Sequence, residues 1–169
     1  VALGGFLMLG STLSLVKAAL ISELQDRLPN VIYPSPSQSK DMIGEDGTGD
    51  AIWWEDGADG TAEVVVMTGG PHWFDEDYTL TLVCQSLGQD TDATQATVDT
   101  RAASLLGEAI GILATDPTIG ITDTADYQLR TVLPDTWRYE SGSVDGSEIR
   151  NARFELTVAV SARLMLEAS

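Results

Sequence analysis

ARFELTVAVSARL, residues 152–164, is the stretch on which the fold turns. Phe154, Leu156, Val158, Val160, Ala162 and Leu164, continued by Leu166, fall on one side of an extended chain. Glu155, Thr157, Ser161, Arg163 and Glu167 fall on the other. Successive side chains of a strand point to opposite faces, so a period of two over this length marks a strand with one face in a core. Tyr78 to Cys84 repeats the pattern, with Tyr78, Leu80, Leu82 and Cys84 opposed to Thr79, Thr81, Val83 and Gln85. Two such strands predict a sheet that needs something apolar laid over one side.

Two helical patterns supply the cover. Leu13, Val16, Leu20, Leu24 and Leu28 recur at three- and four-residue spacing and predict a helix over 13–28, with Ser11 or Ser14 as its cap and Pro29 as its end. Lys17 interrupts that stripe, and its stem is expected to snorkel outward. Asp92 is placed to cap a second helix, whose stripe runs through Val98, Ala102, Leu105, Leu106, Ala109, Ile110 and Leu113 to a stop at Asp116-Pro117. Elsewhere the chain reads as extended. Val31–Tyr33 and Ile52–Trp54 suggest short strands, and the β-branched run EVVVMT, 63–68, suits a strand buried on both faces. Tyr127, Leu129 and Thr131 lie in an alternating run that Pro134-Asp135 interrupts before Trp137-Arg138-Tyr139. Helix, strands, helix, strands, without a repeated βαβ unit, predicts an α+β fold: a mostly antiparallel or mixed sheet with two main helices on one face.

The 169 residues suit one domain, 1–169, in which 43% apolar and 21% charged residues match ordinary globular usage. Two segments stand apart. Residues 1–10 form an apolar arm containing Phe6 and Leu7, and residues 41–60 form an acidic, glycine-rich loop insertion containing Asp46, Asp50, Glu55, Asp56 and Asp59. Asp-Gly steps at 46–47, 56–57 and 59–60 are turn signals. The apolar stretch Val1–Ile21 lacks a basic leading region and is diluted by glycine, serine and Lys17, so neither a signal peptide nor a membrane span is expected. An ordered apolar arm must instead pack on its own domain or on a neighbouring subunit.

The charge narrows function. Nine Lys and Arg against 26 Asp and Glu leave a formal net charge of −17. Gripping nucleic acid depends on cations displacing counterions from phosphates, and the chain has no basic run to do this. Cys84 is the only cysteine, which removes any intrachain disulfide, and it reads as a buried inert thiol. His72 is the only histidine, too few for a zinc site without partners at recognisable spacing. The common nucleophile-elbow, phosphate-loop and dinucleotide fingerprints do not occur, so no catalytic residue, cofactor or metal ligand is assigned. Asp46 and Asp50, or Asp56, Asp59 and Glu63, offer oxygens close in sequence, but not in the register of a calcium-binding loop.

One helix face does point to a role. At 100° per residue, Thr100, Ala103, Ser104, Gly107 and Gly111 fall opposite the core stripe of the second helix. A glycine inside a helix costs about 1 kcal/mol relative to alanine, a cost more readily tolerated where another body packs closely. These five residues, with Phe6 and Leu7 of the arm, are the candidate subunit contacts.

Taken in order, the features resemble the tail terminator family of long-tailed bacteriophages, also known as minor tail or tail-completion proteins. The matching pieces are ALISELQDRLP, NVIYP, EVVVMTGG, YTLTLVCQSLG, VDTRAASLLGEAIGILATDPTIG and ARFELTVAVSARL, spanning residues 13–166. The most specific is the long helix running into Asp116-Pro117-Thr118-Ile119-Gly120. The arm and the acidic insertion are departures from the family core. The resemblance implies a structural, non-enzymatic virion protein at the head-tail junction, assembled in the host cytoplasm. It implies a homohexameric ring that ends the tail tube, meets the tube protein on one side and a head-completion or stopper protein on the other, and lets DNA pass without specific binding. Six copies would carry on the order of −100 formal charges, and carboxylates such as Asp46, Asp50, Glu55, Asp56 and Asp59 lining the channel would keep DNA from sticking. Another head-tail connector component and, from a different class, a calcium-dependent binding module using the acidic loop are the alternative readings.

Overall fold

The computed structural model describes residues 11–34, 49–65, 72–89, 95–143 and 149–166. Phe6, Leu7, Asp46 and Asp92 lie outside them. In chain order the elements are α1 (Leu13–Arg27), β1 (Gly49–Trp54), β2 (Asp59–Val65), β3 (His72–Gln89), α2 (Gln95–Thr115), β4 (Tyr127–Ser143) and β5 (Ile149–Leu166). The five strands make one antiparallel sheet in the order β1-β3-β5-β4, with β2 paired to β3 beside β1. Both helices pack on the same side of it, as an α+β fold. Val31–Tyr33 adds a single parallel bridge, Ile32 to Ala51.

β3 and β5 pair along their whole length and form the spine of the sheet. On the helix side β5 buries Phe154, Leu156, Val158, Val160, Ala162 and Leu164, the predicted set, against Tyr78, Leu80, Leu82 and Cys84 of β3. Over them lie Val16, Leu20 and Leu24 of α1 and Val98, Ala102, Leu105, Leu106, Ala109, Ile112 and Leu113 of α2. Ile112 is buried where the periodicity placed Ile110, which packs from the margin. A smaller apolar cluster, Ala51, Trp53, Val83 and Leu87, occupies the opposite face at one end, so β3 buries both sides there.

Three expectations are corrected. The run beginning at Glu63 is not doubly buried: it is the end of β2, exposed from Asp59 to Val64, because β2 pairs only with β3 and forms part of the sheet margin. Val64 is 59% exposed. Residues 41–60 are not one loop, since 49–54 are β1 and Asp59-Gly60 open β2. Gly60 is required there, because a Cβ would stand 2.7 Å from that of Tyr78. Pro134 does not end its strand. β4 continues through it with register shifts between Leu129 and Thr131 and between Pro134 and Trp137. A proline lacks the N–H of a ladder and is tolerated on an edge strand, which β4 is.

The start of α1 is fixed by neither expected serine alone. Ser11 Oγ accepts from the Leu13 N–H at 3.1 Å, while Thr12 donates its N–H (2.7 Å) and its hydroxyl (2.6 Å) to the buried Glu76 carboxylate. At the other end of the helical layer the D-P-T-I-G turn is built by one side chain. The Asp116 carboxylate accepts from the Thr118 N–H and hydroxyl and from the Gly120 N–H at 2.8 Å. Gly120 (φ 67) takes the left-handed conformation at no steric cost, whereas Ile119 (φ 51) takes it with its side chain buried. Val132 then donates to the Pro117 carbonyl at 2.7 Å, tying the turn to β4.

Candidate functional site

The back of α2 is as bare as its sequence. Thr100, Ala103, Ser104 and Gly107 are exposed and Gly111 is half-buried. A Cβ added at Gly107 or Gly111 would meet nothing within 4 Å, so no contact within the described chain requires either glycine. The hydroxyls of Thr100 and Thr115 each donate to a carbonyl of their own helix, to Ala96 and Gly111, both at 2.8 Å. What remains is a shallow surface of backbone and methyl groups.

Beside it stands an aromatic flank that periodicity did not reveal. Tyr139 of β4 donates its hydroxyl to Asp99 of α2, which also accepts from Gln95 Nε2 at 2.8 Å. Burial, and then the Asp99 carboxylate, raise the Tyr139 phenol above its ordinary range. Trp137 and Tyr139 both contact the Phe154 ring, with centroids 5.5 and 5.0 Å away, yet Trp137 remains 58% exposed. Ala103 lies one helical turn beyond Asp99, so the aromatic pair borders the small-residue face. The signal available in sequence was the Trp-x-Tyr spacing itself, which places both rings on one side of a strand.

The structure does not gather the acidic candidates. Asp50 points to the helix side, where it accepts from Ser86 Oγ at 2.7 Å and pairs with Arg101 at 2.8 Å. Glu55 lies on the opposite face and pairs with Arg153. Asp56 and Asp59 follow in exposed positions. Among the described residues that opposite face carries no helix. At one end Arg153 bridges Glu55 and Glu155 and lies over the Trp53 ring, while Arg138 reaches Glu140 and Glu155. Near the other end Arg163 makes two hydrogen bonds to Asp75, with Arg130 3.3 Å away. Between them runs an open groove of about 440 Å³, floored by Thr79, Thr131, Leu133, Ala159 and Ser161. Outside the small apolar cluster, this face is therefore a patchwork of paired charges among the described residues rather than a wall of carboxylates.

Burial pushes the Cys84 thiol up to about 12, far from the thiolate a nucleophile needs. Among the described residues no three His, Cys, Asp or Glu side chains stand close enough to hold a metal ion. No described helix is long and apolar enough to cross a membrane.

No protein-family model matches the chain, and no curated protein matches it. Among solved structures, one chain of the virion of a native gene transfer agent particle is similar, with 14% identity and a TM-score of 0.41, over 93% of this chain and 99% of that one.

Proposed function

We propose that the chain is a structural virion protein that acts by assembling with copies of itself, as a ring that ends a phage tail tube and joins it to the head-completion proteins. The order of sequence features, from ALISELQDRLP through DPTIG to ARFELTVAVSARL, supports the family reading. The observation that carries self-association is the bare back of α2 bordered by an exposed tryptophan. Small residues admit a close neighbour, and a half-open aromatic ring is the kind of anchor that interfaces bury. Thr100, Ala103, Ser104, Gly107 and Gly111 are the contacts assigned on that face, and Phe6 and Leu7 those assigned to the arm.

DNA passes through such a ring without being held. The net charge of −17 supports this, and Asp56 and Asp59, which pair with no cation among the described residues, are the channel acids this reading favours. Asp50 and Glu55 are already neutralised by arginine. The test is tube growth. Tube subunits polymerised alone should give a broad spread of lengths, and adding this protein during growth should stop elongation at one end. Tubes that lengthen unchanged with the protein in excess would contradict the proposal.

A further inference from the structure

One end of the sheet is buried on its helix side although α1 starts short of it. Thr12 leads into α1, with its N–H and hydroxyl on Glu76 and its hydroxyl 2.9 Å from that of Tyr78. From there the helix runs towards the β1 end, since the Lys17 carbonyl accepts from Trp54 Nε1 at 3.1 Å and Trp54 stands opposite Leu82. Behind its start, on the same side of the sheet, Phe74 of β3 stands opposite Leu164 of β5. Phe74 is half-buried. Leu164 is 1% exposed, yet it belongs to neither apolar cluster formed by the described residues. Thr12 and Glu76, where the helix begins, are 1% and 6% exposed. A leucine and a carboxylate this deeply buried need cover from beyond the helix.

Three stretches outside the described residues adjoin this end: 1–10 ahead of Ser11, 66–71 between β2 and β3, and 167–169 after β5. The others join the chain at the far end, level with Leu87 to Gln89. Glu167-Ala168-Ser169 offers little apolar surface. Residues 66–71 have to turn the chain between neighbouring strands and bring two large apolar side chains, Val66 and Met67. Residues 1–10 bring Val1, Leu3, Phe6, Leu7, Met8 and Leu9, and no charged side chain. Reach agrees. Leu9 is three residues from Thr12, a span of up to about 10 Å, whereas Phe74 lies about 7 Å along the strand from Glu76.

We infer that residues 1–10 seat back on their own subunit as an apolar arm laid over Phe74 and Leu164, with the Thr12, Glu76 and Tyr78 hydrogen bonds fixing where the arm leaves the helix. The cover comes from the same subunit, because Leu164 is already buried in a single chain. Val64, one strand further out, is 59% exposed and lies outside the seat. A seated arm keeps an outer side that a neighbouring copy can meet, so this goes beyond the ring reading and does not depend on it.

Unfolding of double variants of the full chain tests it. Leu164→Ala is combined in turn with Phe6→Ala, Leu7→Ala, Met8→Ala and Leu9→Ala, and the unfolding equilibrium is followed in urea. For at least one pair, the loss in the double variant should fall short of the product of the single losses by a factor of about three, at low and high protein concentration alike. Independent effects in all four pairs would overturn the inference. Coupling that grows with protein concentration would put a second copy's arm on the seat, and coupling to Met67→Ala alone would put the β2–β3 connection there; either result overturns it. The natural protein gives a readout that does not depend on any variant folding. Its Leu164 methyl protons should show nuclear Overhauser contacts to side chains of residues 1–10, and contacts to neither Phe6, Leu7, Met8 nor Leu9 would equally overturn the proposal.

Discussion

Asp75 shows how a strongly acidic chain spends its few cations. Its carboxyl is held below the usual carboxylate range, first by the hydrogen bond from Arg163 and further by the charge of Arg130, against the opposing effect of burial. A carboxylate with a depressed folded pKa contributes stability that is complete above its unfolded value, near 4, and is lost as the pH falls through the folded one. Asp116, held low by Thr118 and the turn's N–H groups, has the same sign. Acid also relieves repulsion among the 26 carboxylates, so the natural protein alone does not isolate the effect. Asp75→Asn does. Its urea midpoint should lie below that of the natural protein at pH 7, and the gap should narrow towards pH 3; a gap constant with pH would place the contribution of Asp75 elsewhere than in its charge.

The helices and strands differ in how far their sequences disclose them. β5 was readable almost residue by residue, because one buried face and one open face impose strict alternation, and the same holds for the helix side of β3. Edges were not. EVVV reads as interior because β-branched runs favour interior strands, yet nothing in those residues says how many neighbours the strand will have. β4 hid for the opposite reason: its bulges shift the period, so Leu129 and Val132 are both buried three residues apart, and Pro134 looks like an end. The back of α2 was readable in composition and its exposure followed, but the Trp137 flank depends on which strand lies beside the helix. That face gives a prediction with two readouts. Gly107→Ala fills open space and should stabilise the isolated chain by up to about 1 kcal/mol, measured by thermal unfolding. The same substitution should weaken assembly if a neighbour packs closely there. Stabilisation with unimpaired assembly would free this face from any contact role.

The whole domain is a layered sheet whose strands outrun its helices. β3 and β5, at 18 residues, extend about 60 Å, and α2, at 21, about 32 Å, so parts of the sheet lie beyond the helical cover. Among the described residues the sheet face away from the helices carries the small Ala51, Trp53, Val83 and Leu87 cluster and an open groove, and both margins carry exposed apolar groups. The acidic segment that sequence presented as a loop is partly sheet, and the order of strands, which no local pattern encodes, sets which acids remain unpaired. The central claim is that this protein works by joining its own kind. Native mass measurement of the full-length protein, across concentration and with tube subunits present, tests it most directly. A discrete species of six copies is the predicted result, and a strict monomer under every one of those conditions would contradict it.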